Sequence, residues 1–409
     1  MNRIVLIGNG FDLAHGLKTS YADFIDWYWE QRIKGFEIEH SNISSDVLCS
    51  FNNLKKETWS GFYLYKVKRL LPNISLKEVI NDIFDNHQLY NITAATFFAN
   101  ILNCIKTNNW VDIENEYYQL LTEYALGEDD NDENIDELNI QLRFLQNNLV
   151  TYLNDIIISD GLLKSDIRQK IYEPFKQIDI SIEGQNFLRE HVNTGLKYKE
   201  RELDVKLYQY GNSCYSSAYV NNYRENTSCE YIKDWSNVPA ELLLPNQIML
   251  LNFNYTHTAN LYCKDGDIFT INQIHGNVED PEKVIFGYGD ELDEDYKEIL
   301  KLNDSRLLTN IKSIKYLETD NYRKMLSFIE SEPYQILIMG HSCGKSDRTL
   351  LNTLFEHKNC ASIKPYYYVR DDGSDNYMEL VQNIHRSFTD MKLMRDRVVN
   401  KLYCEPLTR

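Results

Sequence analysis

The feature that most constrains the fold is a short apolar run near the start of the chain, followed at once by a glycine turn. Residues 3–7, Arg-Ile-Val-Leu-Ile, have the composition of a strand that is buried on both faces of a parallel sheet. Gly8-Asn9-Gly10 follows, and α/β proteins use a strand, a glycine turn and a helix to direct backbone N–H groups at a phosphate. The pattern Gly-x-Gly-x-x-Gly is incomplete, because Leu13 occupies the third glycine position. A plain strand-to-helix turn therefore remains the alternative.

Further strands are predicted in the second half of the chain, and each ends in glycine or polar residues. The apolar runs are residues 247–251, 268–274, 284–286, 334–339 and 365–369, with helices predicted at 259–262, 291–330, 350–357 and 377–388. Strands that alternate with helices indicate a parallel, doubly wound sheet. Because the carboxyl ends of parallel strands meet at one edge, we expect the polar residues that follow them to form one ligand site.

A long segment with helical patterns separates the first strand from the others. Amphipathic helices are predicted at 76–84, 93–105, 111–126, 134–158, 167–178 and 183–191, whereas 197–235 has no clear periodicity. The expected fold is α/β, with a doubly wound, Rossmann-like parallel sheet in residues 1–35 and 240–409. Residues 36–239 are a mainly helical insertion that either caps the site or faces a partner.

Composition excludes several classes of protein. The net charge of −18 argues against general nucleic-acid binding. The eight cysteines are scattered and form no Cys-x-x-Cys pair, which favours reduced thiols in a cytoplasm and no zinc ribbon. The chain has no apolar run of membrane-spanning length and no secretory signal at its beginning, so we expect no membrane association.

Several motifs, in order, resemble the bacteriophage abortive-infection AbiH family. They are Ile-Gly-Asn-Gly-Phe-Asp-Leu-Ala-His-Gly-Leu at 7–17, Trp-Val-Asp-Ile-Glu at 110–114, Asn-Phe-Asn-Tyr-Thr at 252–256, Ile-His-Gly at 274–276, Ile-Met-Gly-His-Ser at 338–342 and Ser-Asp at 346–347. The resemblance implies a cytoplasmic bacterial protein of antiviral defence. The resemblance to this family does not by itself indicate a reaction or a ligand.

A second resemblance, to sirtuins and their NAD-cleaving defence relatives, is more remote and covers less of the chain. The similar features are Gly8 and Gly10 after the first strand, Asn254, His275-Gly276, residues 284–287, and residues 340–342. This resemblance implies a sirtuin-like core with NAD as substrate or ligand. The zinc cysteines that would follow His275 are missing, which weighs against protein deacylation. The defence relatives have an aspartate where this chain has Thr256.

On this resemblance, two residues would be catalytic. Cleavage of the nicotinamide–ribose bond passes through an oxocarbenium-like state, and His275 could deprotonate water or a ribose hydroxyl, because an imidazole titrates near neutrality. Asn254 would position the water or the ribose through its amide. The alternatives are a histidine that is hydrogen-bonded at a strand end and an asparagine that forms a turn.

The expected ligand-binding residues follow the other strands. They are Gly8, Asn9, Gly10, Asp12, Thr256, Gly340, Ser342 and Asp347. Ser342 and Asp347 could hold ribose hydroxyls, although Asp347 could instead cap the following helix. Trp110, Asp112 and Glu114 are expected to attach the insertion to the core. His15, His257 and His341 have no carboxylate at metal-ligand spacing, so no metal site is predicted.

Three hypotheses follow for function. The first is an NAD-hydrolysing toxin that depletes the infected cell, and the second is a sensor that binds NAD or a related nucleotide and signals through the insertion without turnover. The third, a nuclease-type toxin, is disfavoured by the net acidity and by the lack of a carboxylate cluster for metals. A phage protein is the expected trigger, and a homo-oligomer stays open.

Overall fold

The structure of the protein is a computed structural model. It describes residues 1–39, 44–51, 92–108, 112–127, 132–156, 163–210, 235, 238–263 and 268–408. Within these ranges the chain is an α/β protein with many helices and one large parallel sheet. The strands, in chain order, are β1 (Asn2–Ile7), β2 (Ser44–Ser45), β3 (Cys49–Phe51), β4 (Ile92–Ala94), β5 (Ile248–Asn252), β6 (Phe269–Gln273), β7 (Tyr334–Met339) and β8 (Cys360–Tyr366).

The large sheet has the strand order β6-β5-β1-β7-β8, and all of its pairs are parallel. β1 lies at its centre, where Val5 pairs with Leu250 on one side and with Leu337 on the other. From β1 the chain adds β5 and then β6 on one side of the sheet, and it adds β7 and then β8 on the other side. The direction in which strands are added therefore reverses beside β1. β2, β3 and β4 form a separate antiparallel sheet.

The described helices are α1 (Asn9–Ala14), α2 (Tyr21–Glu39), α3 (Thr96–Asn108), α4 (Ile113–Leu126), α5 (Asp132–Ile156), α6 (Ser165–Tyr172), α7 (Gln185–Tyr210), α8 (Glu294–Lys301), α9 (Lys312–Lys315), α10 (Asn321–Ser331), α11 (Arg348–Glu356), α12 (Tyr377–Arg386) and α13 (Met391–Arg397). Alternate residues of the central strands point into two separate hydrophobic clusters. Ile4 and Leu6 pack with residues of α10 to α13, whereas Val5 and Ile7 pack with residues of α1 and α6. Both faces of the sheet are therefore covered, which explains why every residue of β1 is buried.

Helices α2, α3, α4 and α5 form a third hydrophobic cluster, the helical layer. It includes residues that follow β6 in the chain, among them Val284, Phe286 and Tyr288. Hydrogen bonds also cross this contact: Gln146 Nε2 donates to the carbonyl of Val284 (2.9 Å) and Asn139 Nδ2 donates to that of Arg306 (3.0 Å). The helical layer is thus packed against the loops at the carboxyl edge of the large sheet.

The segment around α6 and α7 is attached to a face of the sheet by buried charges, which we call the strand-face cluster (Arg3, Glu173, Asp179 and Lys364). Lys364 of β8 lies 2.8 Å from Asp179 Oδ2 and 3.4 Å from Glu173 Oε1. Arg3 of β1 donates to the carbonyls of Ile171 (2.9 Å) and Glu173 (2.6 Å). These contacts fix the connection between α6 and α7 on the strands.

Some predicted elements were wrong. Residues 284–286 form no strand: Val284 and Phe286 pack into the helical layer, Ile285 packs on the sheet side, and the N–H of Ile285 donates to the carbonyl of His275 (2.8 Å). Residues 197–210, predicted to be irregular, continue α7. The predicted helix 291–330 is divided into short helices, and β8 begins earlier than the predicted strand at 365. The predicted helix 76–84 lies outside the described residues.

Candidate functional site

The predicted site residues lie on loops that leave the same edge of the large sheet. Asn254 follows β5, His275 follows β6, and His341 and Asp347 follow β7. These side chains are buried, and the ring of Phe253 contacts both His275 (centroids 5.2 Å apart) and His341 (4.1 Å). We call Glu114, His275, Lys312, His341 and Asp347 the carboxyl-edge cluster.

Asp347 is the centre of this cluster. Its Oδ1 lies 2.8 Å from Lys312 Nζ and 3.3 Å from His275 Nε2, and its Oδ2 lies 3.4 Å from His341 Nε2. Burial alone would raise the pKa of Asp347, but the charge of Lys312 and the hydrogen bonds from His275 and His341 hold that pKa well below its usual value. Asp347 is therefore an ionised carboxylate that can only accept hydrogen bonds.

Lys312 joins this aspartate to the helical layer. Its side chain is 1% exposed, and its Nζ lies 2.9 Å from Glu114 Oε2 as well as 2.8 Å from Asp347. Burial would lower the pKa of Lys312, but the carboxylates of Asp347 and Glu114 raise it. Burial raises the pKa of Glu114, and Lys312 opposes that rise. The other oxygen of Glu114 accepts the N–H of Gly287 (3.0 Å).

The two histidines are held differently. Nδ1 of His341 accepts the N–H of Cys343 (3.0 Å), so its hydrogen lies on Nε2 and faces Asp347. Nε2 of His275 faces both Asp347 and the hydroxyl of Tyr316, which is 3.2 Å away. Among the residues that the structure describes, Nδ1 of His275 has no hydrogen-bond partner. Since the carboxylate only accepts, the ring nitrogen beside it, Nε2, carries a hydrogen.

Asn254 and Asp12 connect the loops after β1 and β5. Nδ2 of Asn254 donates to the carbonyl of Gly8 (2.9 Å), and the backbone N–H of Asn254 donates to Asn252 Oδ1 (3.0 Å). Thr256 donates its hydroxyl to Asp12 Oδ2 (2.6 Å). Burial raises the pKa of Asp12, and the hydroxyl of Thr256 opposes that rise. These residues thus lie together, as the sequence predicts for the residues after parallel strands.

The glycines of this edge allow two loops to approach each other. A Cβ on Gly8 would lie 2.5 Å from the Cα of His341, and one on Gly10 would lie 2.9 Å from the Cα of Gly340. Gly340 has a φ of +78°, a Cβ there would clash with the backbone N of Phe11, and its carbonyl accepts the N–H of Gly10 (2.8 Å). Contact between the β1 and β7 loops therefore accounts for these glycines without a ligand. Their role in phosphate binding stays a prediction.

The remaining predicted residues lie at the margin of the cluster. Ser342 and Asn9 are exposed, and Asn9 Oδ1 accepts the hydroxyl of Thr19 (2.5 Å). Asp112 caps α4 by accepting the N–H of Asn115 (3.1 Å). Trp110 lies outside the described residues.

Lys312 and Tyr316 are the members of the site that sequence reasoning missed. Both occur in the segment 291–330, which has the pattern of an ordinary amphipathic helix, and Lys312 is 198 residues from Glu114 and 35 from Asp347. The sequence around Lys312, Ile-Lys-Ser-Ile-Lys, gives no local signal that one lysine is buried and the other half-exposed.

Comparison with known proteins identifies the family. The model of the family described as bacteriophage abortive infection AbiH matches residues 4–368, and the chain therefore belongs to that family. No curated protein and no solved structure shows significant similarity to the chain. Among the helices described, none is both long and apolar enough to cross a membrane.

Proposed function

We propose that this AbiH protein acts in abortive infection by hydrolysing NAD at the bond between nicotinamide and ribose. Family membership implies abortive infection of phage-infected cells. The observation that supports the chemistry is a buried histidine beside an ionised aspartate at the carboxyl edge of a parallel sheet. Parallel α/β sheets bind their ligands at this edge, beside the point where the strand order reverses, and here that point is between β1 and β7.

In the proposed reaction, the bond between the ribose C1′ and the nicotinamide nitrogen breaks, and its electron pair stays on the leaving nicotinamide. The ribose passes through an oxocarbenium-like state, and the oxygen of water then bonds to C1′. Nδ1 of His275 takes the proton that the water loses, while Asp347 stabilises the resulting imidazolium. The products are nicotinamide, ADP-ribose and a proton.

Asn254 would orient the water or a ribose hydroxyl. Because its Nδ2 is committed to the carbonyl of Gly8, its Oδ1 remains to accept a hydrogen bond from the substrate side. Asp347 would act on His275 rather than on ribose, since Lys312 and both histidines already surround its two oxygens. Ser342, which is exposed, is the better candidate for contact with a ribose hydroxyl.

A nucleotide sensor without turnover is the second candidate, and one observation favours it. Lys312 links Asp347 on a sheet loop to Glu114 on α4, so a ligand that displaced Asp347 would act directly on the helical layer. The same site would then report NAD or a related nucleotide to a partner. In both cases we propose a phage protein as trigger.

Nicotinamide release from NAD distinguishes the two candidates. The parent protein, His275→Asn and the control His385→Asn, which changes an exposed histidine of α12, are assayed as purified proteins and in cells after phage infection. We expect release by the parent and by His385→Asn, and a loss of about a hundredfold to ten-thousandfold in His275→Asn. No release by the parent in either setting, with protection against phage intact, would overturn hydrolysis and leave the sensor.

A further inference from the structure

We propose that Lys312 is a positioning residue. Its ammonium, held between Glu114 and Asp347, fixes the aspartate against Nε2 of His275 and so leaves Nδ1 as the atom that accepts a proton. This inference rests on the proposed hydrolysis for its catalytic consequence, but not for the geometry itself.

Stability alone gives a poor reason for this arrangement. Lys312, Glu114 and Asp347 are all buried. Buried ion pairs often contribute no more to stability than well-packed apolar residues of similar volume, because the charges lose their hydration. A lysine that contacts two carboxylates, of which one faces a histidine, is better explained by the orientation that it imposes.

The backbone around Lys312 is itself fixed. Its N–H donates to the carbonyl of Tyr288 (2.8 Å), and the N–H of Tyr288 donates to the carbonyl of Asn310 (3.1 Å). The neighbouring Gly287 donates to Glu114 Oε1 (3.0 Å). One segment, residues 287–288, therefore holds both the lysine backbone and the carboxylate that the lysine binds. The ammonium has little freedom to leave Asp347.

The consequence reaches His275 through a shared oxygen. Lys312 Nζ and His275 Nε2 both lie beside Oδ1 of Asp347, at 2.8 and 3.3 Å. With Oδ1 fixed by the lysine, the hydrogen of the imidazole is held on Nε2. With both carboxylates ionised, the lysine and the two acids sum to a charge of −1, so the imidazolium formed in the reaction is neutralised by the cluster.

A double variant separates positioning from charge balance. Lys312→Met leaves two buried carboxylates without their lysine, whereas Lys312→Met with Glu114→Gln leaves Asp347 as the one carboxylate of the three groups and restores the charge of −1. Glu114→Gln by itself keeps the contact between Lys312 and Asp347. We expect the single Lys312→Met to be strongly destabilised, and the double variant to recover most of that loss in chemical denaturation.

The tautomer of His275 distinguishes a positioning role of Lys312 from a purely structural one, because a purely structural lysine would leave that tautomer unchanged. It is measured by ¹⁵N NMR on histidine-labelled full-length protein. We expect hydrogen on Nε2 in the parent and in Glu114→Gln, and a mixture of tautomers in the double variant. His341 is an internal reference, because its Nδ1 accepts the N–H of Cys343 and none of the substitutions changes either residue. In kinetics, the double variant should lose at least tenfold in kcat, with KM for NAD within about twofold.

The outcomes are distinct. A stable double variant with the parent tautomer at His275 would overturn the proposal, because Lys312 would then only balance charge. A double variant that does not fold would also overturn it, since Lys312 would be needed for folding itself. If the parent releases no nicotinamide, the proposed hydrolysis fails, while the NMR comparison still decides whether Lys312 orients His275.

Discussion

Two buried ion clusters lie on the same parallel sheet, and they differ in where their charges come from. In the strand-face cluster the cations belong to the strands themselves, Arg3 on β1 and Lys364 on β8. Their partners are carboxylates and backbone carbonyls of α6 and the segment that follows it, together with Gln335 of β7. In the carboxyl-edge cluster every member lies on a loop or helix outside the strands, and two of its members are histidines.

The difference suggests different uses of buried charge. The strand-face cluster contains no group that titrates near neutrality, and its bonds attach one segment to a rigid strand. The carboxyl-edge cluster places an imidazole beside an ionised carboxylate, which is an arrangement suited to proton transfer. We therefore expect changes in the first cluster to affect stability alone, and changes in the second to affect activity as well.

The largest expected effect is on the rate of nicotinamide release, and it is tested at two buried aspartates that each face a lysine. Asp347→Asn should lower nicotinamide release by about a hundredfold or more, because His275 loses the ionised partner that stabilises its imidazolium. Asp179→Asn should leave the rate per folded molecule within about twofold, since the side-chain contact of Asp179 is to Lys364 of the strand-face cluster. Rates are measured on folded protein after gel filtration. Equal losses in the two variants would remove the distinction between the clusters.

The next effect is on stability. Lys364→Met should lower the free energy of unfolding by about 3–5 kcal/mol, because Asp179 is left buried without its cation, whereas Glu173 keeps Lys176 (2.6 Å). Urea denaturation measures the loss, and Lys364→Met with Asp179→Leu should regain most of it. A single variant as stable as the parent would mean that water reaches these carboxylates.

A smaller effect tests how the loops of the carboxyl-edge cluster are held. Gly340→Ala and Gly373→Ala both place alanine at a positive φ, but only Gly340 has backbone atoms within reach of the new Cβ. We expect Gly340→Ala to lower the free energy of unfolding by about 1–3 kcal/mol more than Gly373→Ala does, because the β1 loop must move away from the new Cβ. Thermal unfolding compares them. Similar costs would show that the two loops separate easily.

The smallest effect concerns acid. The folded-state pKa of Asp347 is held below the ordinary 3.8, so this contact contributes stability above about pH 3.8 and loses it as the pH falls towards the folded-state pKa. Asp347→Asn should thus be less stable than the parent at pH 7, and the gap should narrow below pH 3.8. Denaturation at pH 7, 5 and 3 measures the gap. A difference in stability between the parent and Asp347→Asn that grows below pH 3.8 would contradict this prediction.

The central strands could be predicted because a strand buried on both faces has a continuous apolar sequence. The prediction of a strand at 334–339 was confirmed at both ends, and that at 247–251 was displaced by one residue. The Val-Ile-Phe sequence at 284–286 is equally apolar, but its side chains alternate between the helical layer and the sheet-side cluster. An extended segment that lies between two hydrophobic clusters has the same apolar sequence pattern as a buried strand. The two differ in their backbone hydrogen bonds, which the sequence does not show.

The residues of the candidate site that follow strand ends could be predicted from the sequence. Those that reach the site through ion pairs with residues distant in the sequence could not. His275, Asn254 and Asp347 follow strands or their loops, so topology alone brings them to one edge. Lys312 enters through a short helix that the apolar pattern does not separate from its neighbours. The glycines after β1 were expected to let a ligand approach the backbone, but the group that lies against them in the structure is the loop after β7, and ligand binding there stays a prediction.

The position of β1 has a consequence for how the chain folds as it is made. Arg3 pairs with Ile248 on one side and with Gln335 on the other, so the central strand is synthesised first and its neighbours much later. At ordinary bacterial translation speeds, roughly 5–20 residues per second, β1 waits on the order of 10–50 seconds for β5. During that time β1 lacks both of the strands that pair with it in the folded sheet. The nascent chain thus depends on chaperones, or on early collapse of the helical layer, to protect the strand around which the sheet is built.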